Sequence, residues 1–313
     1  MRVIIVGLGV QGYKRREFSG TDYVASVDPI NCDADYKQIE DVPLLSYDAA
    51  LLCTPDEPKI KLITYLLNNC KHVLVEKPLL AENNQEILYI EQLARSKSLV
   101  CYTAYNHRFE PHFIRMRELI MSGVLGKIYH CRMFYGNGTA RLVKQSSWRD
   151  QGAGVLPDLG SHLLDTVNFW FGISNVNFSV VSSQCFENNS PDHVVIASQK
   201  QLPQIELEMT LLFWKNHFTC DILAEHGTAH ISSLCKWGPT TFTHRKRVLP
   251  SGVPKEESIT LCQKDPTWYS EYMYFKHLCD SGYKTDLYCD VWLNHTLHLL
   301  SKRVMLVKEQ VLV

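Results

Sequence analysis

Apolar and polar positions along the chain fall into two rhythms. Up to about residue 105, short apolar runs alternate with helical periodicity. Runs at 3–6, 23–27, 48–53, 72–75 and 99–102 read as strands. Helical patterns fill the gaps: one begins near Val10, one covers 59–69 and one covers 83–97. In the last, Ile87, Ile90, Leu93 and Ala94 share one mostly apolar face with Glu91. Beyond residue 106 the rhythm changes. A helix over 110–122 stops near Gly123, a strand follows at 128–135, and a helical block covers 156–171. Seven strand-like runs then follow with few helices between them, at 178–183, 194–197, 205–213, 218–223, 229–232, 240–243 and 259–262. Helices over 267–279 and 287–308 close the chain, and 249–257, rich in Pro, Gly and charge, reads as the least ordered stretch. The pattern predicts a parallel α/β domain over 1–105, followed by an α+β domain over 106–313 with a large, mostly antiparallel sheet.

Composition narrows the function class. The 313 residues carry a formal net charge of -1, which argues against a nucleic-acid partner recruited by basicity. No apolar run approaches the roughly 18 residues of a membrane span. The first strand begins at residue 2, leaving no room for a leader ahead of it, so the expected location is cytoplasmic. Eleven cysteines without a CxxC pair read as reduced thiols, with Cys53, Cys70, Cys101, Cys131 and Cys220 expected in the core. His295 and His298 lack further ligands, so no metal site is predicted.

The chemistry-bearing motifs lie at the strand ends. Gly7, Gly9 and Gly12, in the run Gly7-Leu8-Gly9-Val10-Gln11-Gly12, form GxGxxG between a strand and a helix. This is the fingerprint of a Rossmann dinucleotide-binding domain: a tight turn, a backbone that a pyrophosphate can approach, and close helix–strand packing. Asp28, 21 residues after Gly7, ends the second strand. A carboxylate there accepts from the adenosine ribose hydroxyls and repels a 2′-phosphate, which favours NAD over NADP. Only fifteen residues separate Gly12 from Asp28, so the first helix must end near Gly20. Its Lys14, Arg15 and Arg16 read as a solvated face.

Glu76-Lys77-Pro78 follows a strand on the expected cofactor side. The Lys77 ammonium can polarise a hydroxyl or carbonyl oxygen, and the proline beside it is a candidate for a cis bond. Asp158 and His162 are four residues apart, on one face if the segment is helical, and make a proton-handling pair. In the block Tyr105-Asn106-His107-Arg108-Phe109, Asn106 is a candidate for the nicotinamide or its ribose. Arg108 suits either an anion or a structural salt bridge. Trp148 and Arg149 suit a sugar face and an acidic substituent, with a packed Trp as the alternative. Asp165 reads as a partner of His162 or a cap. The site is expected in the cleft between the domains, at the carboxyl ends of the parallel strands.

Together these residues resemble the Gfo/Idh/MocA family of glucose–fructose oxidoreductase, inositol dehydrogenase and their relatives. The resemblance runs through the glycine loop, Cys53-Thr54-Pro55, Glu76-Lys77-Pro78, 105–109 and the block from Gly154 to Asp165. It implies hydride transfer between nicotinamide and a ring carbon of a sugar, cyclitol or sugar nucleotide. His162 would be the base that takes the hydroxyl proton, Lys77 would hold the oxygen and Asp158 would orient both. It implies cofactor contacts from Gly7, Gly9, Val10, Gln11, Gly12, Asp28, Cys53, Thr54, Pro55, Glu76, Lys77 and Asn106. Substrate contacts would come from Lys77, Arg108, Trp148, Arg149, Asp158 and His162. It also implies homodimers or homotetramers formed through the exposed face of the C-terminal sheet. Many relatives carry Pro-Asn-x-x-His after the third strand; here the run is Pro55-Asp56-Glu57-Pro58-Lys59, with no histidine. A glycoside hydrolase that oxidises its substrate transiently would use the same residues. A non-catalytic nicotinamide sensor is the third reading, although it would not need Lys77, Asp158 and His162.

Overall fold

A computed structural model describes residues 1–146, 149–172, 176–199, 202–250 and 252–311, with side chains described as far as residue 306. The chain forms two compact units. The first is Met1–Asn106 with Thr267–His295, and the second is His107–Pro266 with Thr296–Val313.

In the first unit, β1 (Val3–Val6), β2 (Tyr23–Val27), β3 (Ala49–Leu52), β4 (His72–Glu76) and β5 (Cys101–Ala104) make a parallel sheet in the order β2-β1-β3-β4-β5. Helices α1 (Val10–Ser19), α2 (Asp56–Asn68) and α3 (Asn84–Ser96) alternate with the strands. Every residue of β1 and β3 is buried because both faces of the sheet are covered, so these strands read as unbroken apolar runs. Ile4, Val6, Ala50 and Leu52 face one core cluster; Val3, Ile5, Ala49 and Leu51 face the other. Each buried Val, Leu or Ile is worth about 1.5–3 kcal/mol relative to exposure. Helix α1 is short, as the spacing requires, and stops at Gly20, whose φ of 52° lies in the left-handed region. Several details differ from the pattern, and two have a plain local reason. Strand β5 starts at Cys101 rather than 99, because Ser98 and Leu99 still close the end of α3 through bonds to Arg95 and Ala94 carbonyls. Cys70, expected in the core, is exposed in the turn that ends α2, at φ 59°.

The second unit holds α4 (Pro111–Met121), β6 (Ile128–Gly136), the short α5 (Ala140–Lys144) and α6 (Ser161–Phe171). One π-helical turn, Leu156–Gly160, leads into α6. Seven strands follow: β7 (Phe178–Gln184), β8 (His193–Ser198), β9 (Gln204–Thr210), β10 (His217–Ala224), β11 (Gly227–Ser232), β12 (Thr240–Lys246) and β13 (Glu256–Leu261). With β6 they form an eight-stranded sheet in the order β13-β12-β11-β10-β6-β9-β8-β7, antiparallel except where β6 meets β9. Burial alternates along β8, β9 and β10, as expected of a sheet with one covered face. The outer face carries cross-strand ion pairs of Arg132 with Glu206 and Glu208, and a hydrogen bond between His230 and Asp221.

The chain closes with α7 (Thr267–Asp280) and α8 (Tyr288–Val311). The first unit takes α7 and the start of α8, so its compact body is not confined to residues 1–105 as the change of rhythm suggests. Tyr272, Phe275 and Leu278 of α7 join the core cluster of Val3, Ile5 and Leu51. The helical periodicity of α7 shows an apolar face but not which sheet buries it. Among the described residues no helix is long and apolar enough to cross a membrane.

Candidate active site

In the first unit, parallel pairing puts the segments after β1, β3, β4 and β5 at one end of the sheet. Strand order reverses there: β1 lies between β2 and β3, so the chain passes first to one side of β1 and then to the other. This is the switch point where open α/β sheets bind ligands. Gly7, at φ 91°, turns the chain off β1, and its N–H donates to the Val27 carbonyl at 2.8 Å. A Cβ on Gly12 would run into the Gly7 carbonyl oxygen, whereas one on Gly9 would meet nothing within 4 Å. Gly12 is thus needed for packing, and the side of the loop at Gly9 is open. Val10 and Gln11 are exposed at the start of α1, which has neither a side-chain cap nor an acidic residue in its first turn. A dinucleotide's pyrophosphate fits this arrangement: an uncapped helix start with exposed residues, no acidic residue in its first turn and a close approach at Gly9.

Asp28 braces the same loop. Its Oδ2 accepts the Leu8 N–H at 2.7 Å, and its Oδ1 accepts those of Ile30 and Asn31 at 2.9 and 2.8 Å. Burial works to raise its pKa, but these backbone bonds outweigh it and hold the carboxyl below the usual range. Asn31 completes the tie by donating from Nδ2 to the Leu8 carbonyl.

The cofactor candidates after the other strands are Cys53, Thr54 and Pro55 beyond β3, Glu76 and Lys77 at the end of β4, and Asn106 beyond β5. Pro55 takes the position before α2, and the Lys77–Pro78 bond is cis. The Asn106 Nδ2 donates to Thr267 Oγ1 at 2.9 Å, which ties the end of β5 to the start of α7. Arg15 departs most from the sequence reading. Instead of lying on a solvated face it is 1% exposed, with Nε on Glu76 Oε1 at 2.7 Å and Nη2 on Glu271 Oε2 at 2.6 Å. Its guanidinium lies 4.4 Å from the Trp268 ring centroid. Burial opposes the charge, but Glu76 and Glu271 overcome it, so Arg15 stays cationic.

The second unit gathers a polar and aromatic cluster around His162. The His162 ring stacks on His107, with centroids 4.1 Å apart and planes within 19°, and tilts against Tyr135 at 6.0 Å. Both imidazoles are buried. Asp158 sits in the π-helical turn and His162 in the first turn of α6. Arg149 Nη2 lies 3.6 Å from Asp158 Oδ2, so these two candidates come together. Arg108 pairs with both carboxylate oxygens of buried Asp165, its Nε at 3.2 and 3.0 Å. Asp165 is thus the salt-bridge partner of Arg108. Trp148 lies outside the described residues.

Sequence reasoning passed over three members of this cluster. His107 lies inside the 105–109 block, where no pattern assigns it a role. Tyr135 sits near the end of β6 with nothing to mark it. Lys236, in a short turn after β11, donates from Nζ to Tyr135 Oη at 3.2 Å and lies 4.6 Å from the Trp237 ring centroid. Burial lowers the Lys236 pKa, opposed by Asp265, Glu110 and Asp158. Among the described residues no three His, Cys, Asp or Glu side chains are grouped to hold a metal.

A nucleotide-binding strand–loop–helix at a switch point, with a lysine after β4 at the same end of the sheet, defines a dinucleotide-binding α/β protein. Comparison with known proteins gives the family. The model for the oxidoreductase family with an NAD-binding Rossmann fold matches residues 1–105, and that for the GFO/IDH/MocA C-terminal domain matches 113–230. The chain belongs to the Gfo/Idh/MocA oxidoreductase family. An uncharacterized oxidoreductase of Schizosaccharomyces pombe is 29% identical over 164 residues, which are 51% of this chain and 40% of that protein. The glucose-6-phosphate 3-dehydrogenase of Bacillus subtilis is 30% identical over 119 residues, 36% of this chain and 34% of that protein. The matched part thus spans well under half the length of these relatives. The solved UDP-N-acetylglucosamine 3-dehydrogenase of Acidithiobacillus ferrooxidans shares the fold at a TM-score of 0.79, with 16% identity over 97% of this chain and 98% of that one.

Proposed function

We propose that the chain is an NAD-dependent oxidoreductase that moves a hydride between nicotinamide and a ring carbon of a sugar, cyclitol or sugar nucleotide. The observation that carries this reading is the placement, at the same end of one parallel sheet, of an open glycine loop after β1, braced by Asp28, and of Lys77 directly after β4. Asp28 favours NAD: a carboxylate at the end of β2 accepts from ribose hydroxyls and repels a 2′-phosphate. The names of the relatives, which act on glucose 6-phosphate and a UDP-sugar, support the substrate class.

The nicotinamide, when bound, supplies the acceptor for the hydride. The chain's own residues handle the oxygen and its proton. His162 takes the hydroxyl proton of the reacting carbon, and its stacking on His107 fixes the plane of the ring. Lys77 donates to the same oxygen and stabilises the charge that develops on it. Asp158, paired with Arg149, orients the polar groups around that oxygen. The reading includes a homodimer or homotetramer joined through the outer face of the eight-stranded sheet, to be checked by sedimentation velocity. The direct test is titration of the purified chain with NAD and NADP, followed by a panel of sugars, cyclitols and sugar nucleotides read as NADH absorbance. NAD binding with NADH formed from one panel member is expected; binding of neither nucleotide would overturn the reading.

A further inference from the structure

Lys59, in α2, has the surroundings of a built mount. The side chain is 2% exposed. An ammonium has three donors, and here all three have acceptors: Asp56 Oδ1 at 2.7 Å, the Glu76 carbonyl at 2.8 Å and the Pro78 carbonyl at 2.8 Å. The two carbonyls belong to the residues on either side of Lys77. Sheet pairing between β3 and β4 ends at Leu52 and Val75, so these carbonyls lie beyond it on that side. Buried carbonyls must be satisfied, and the Lys59 ammonium satisfies both. The side chain of Glu76 is held separately, by Arg15 at 2.7 Å.

We infer that Lys59 is a positioning residue that clamps the backbone on both sides of Lys77 and so fixes where the Lys77 ammonium stands. Asp56 supplies a countercharge in the first turn of α2, where the helix dipole favours a carboxylate. The role of Lys77 in turnover rests on the function proposed above; the clamp itself does not.

The test therefore has two arms. In the first, the intact chain is treated with trace acetic anhydride, and the acetylation rate of each lysine is read by peptide mass spectrometry. Lys59→Met is expected to raise the rate at Lys77 by about threefold or more relative to exposed Lys255, because the strand end opens locally. Lys59→Arg, which keeps charged donors, is expected to recover at least half of that change. An unchanged Lys77 rate in Lys59→Met, or a rise shared equally by Lys61 and Lys71, overturns the clamp. Should Lys59→Met not fold, the milder Lys59→Gln removes the charge and shortens the reach to the two carbonyls, and a Lys77 rate equal to that of the unsubstituted chain overturns the inference. In the second arm, Lys59→Met is expected to lower kcat by about tenfold or more while the KM for NAD stays within about threefold. A changed acetylation pattern in a chain that turns over nothing would count against the proposed function and leave the clamp standing.

Discussion

Removing the Arg15 guanidinium tests how the glycine-loop helix is locked to the strand that carries Lys77. Arg15 is 1% exposed and holds Glu76 and Glu271, the latter fully buried. Arg15→Met keeps most of the volume but leaves the Glu271 carboxylate without its cation. Breaking a buried pair from one side costs about 3–5 kcal/mol. Part of that cost is relieved when Glu271 takes up a proton. Without Arg15 its folded pKa lies above its unfolded value, so the variant regains stability as the pH falls and loses it as the pH rises, at about 1.4 kcal/mol per unit. Adding Glu271→Gln removes the stranded charge. Urea unfolding followed by tryptophan fluorescence suits the measurement, since Trp268 packs on Arg15 itself. The expected result is a loss of about 3 kcal/mol or more in Arg15→Met at pH 8, shrinking toward pH 5, with about 1–3 kcal/mol recovered in the double variant. A loss below about 1 kcal/mol, or a double variant no better than the single, would refute the argument.

Other outcomes follow from the same structure. Glu110 is buried with Oε2 on the Cys235 N–H, and burial raises its pKa. Its penalty is absent at low pH and grows as the pH rises through the folded pKa. Glu110→Gln should therefore melt higher than the unsubstituted chain at pH 8, with the difference closing toward pH 4.5; calorimetry at the two pH values checks it. In Gly12→Ala the new methyl meets the Gly7 carbonyl, so NADH affinity should fall by about tenfold or more in a fluorescence titration. On the proposed preference for NAD, Asp28→Ser removes the charge expected to repel a 2′-phosphate, so the ratio of NADPH to NADH affinity should rise by about tenfold, read in the same titration.

Much of this architecture was legible in the chain. Unbroken apolar runs announced β1 and β3, and the glycine spacing announced a short α1, because both depend on residues near one another in sequence. The contacts around the candidate residues of each unit were not legible. Arg15 reads as a surface residue beside Lys14 and Arg16; what buries it is Glu271, 256 residues away, and no periodicity encodes that pairing. Tyr135 and Lys236 lie on segments 101 residues apart that meet only because of the strand order of the large sheet. His107 and Lys59 stood within marked motifs, yet their partners are a ring on α6 and two backbone carbonyls, which a motif does not name. Local pattern reaches a strand, a turn and a helix start; the order of strands and the docking of α7 decide which charges face each other.

The central claim is hydride transfer from a ring carbon, and isotope transfer tests it most directly. The chain would be incubated with NAD and the panel substrate it turns over, deuterated at the reacting carbon, and the NADH formed would be weighed by mass spectrometry. The account predicts NADH heavier by one deuterium, with transfer lost in His162→Ala and Lys77→Ala while NAD binding persists. NADH without the label, or labelled NADH formed equally well by both variants, would contradict it.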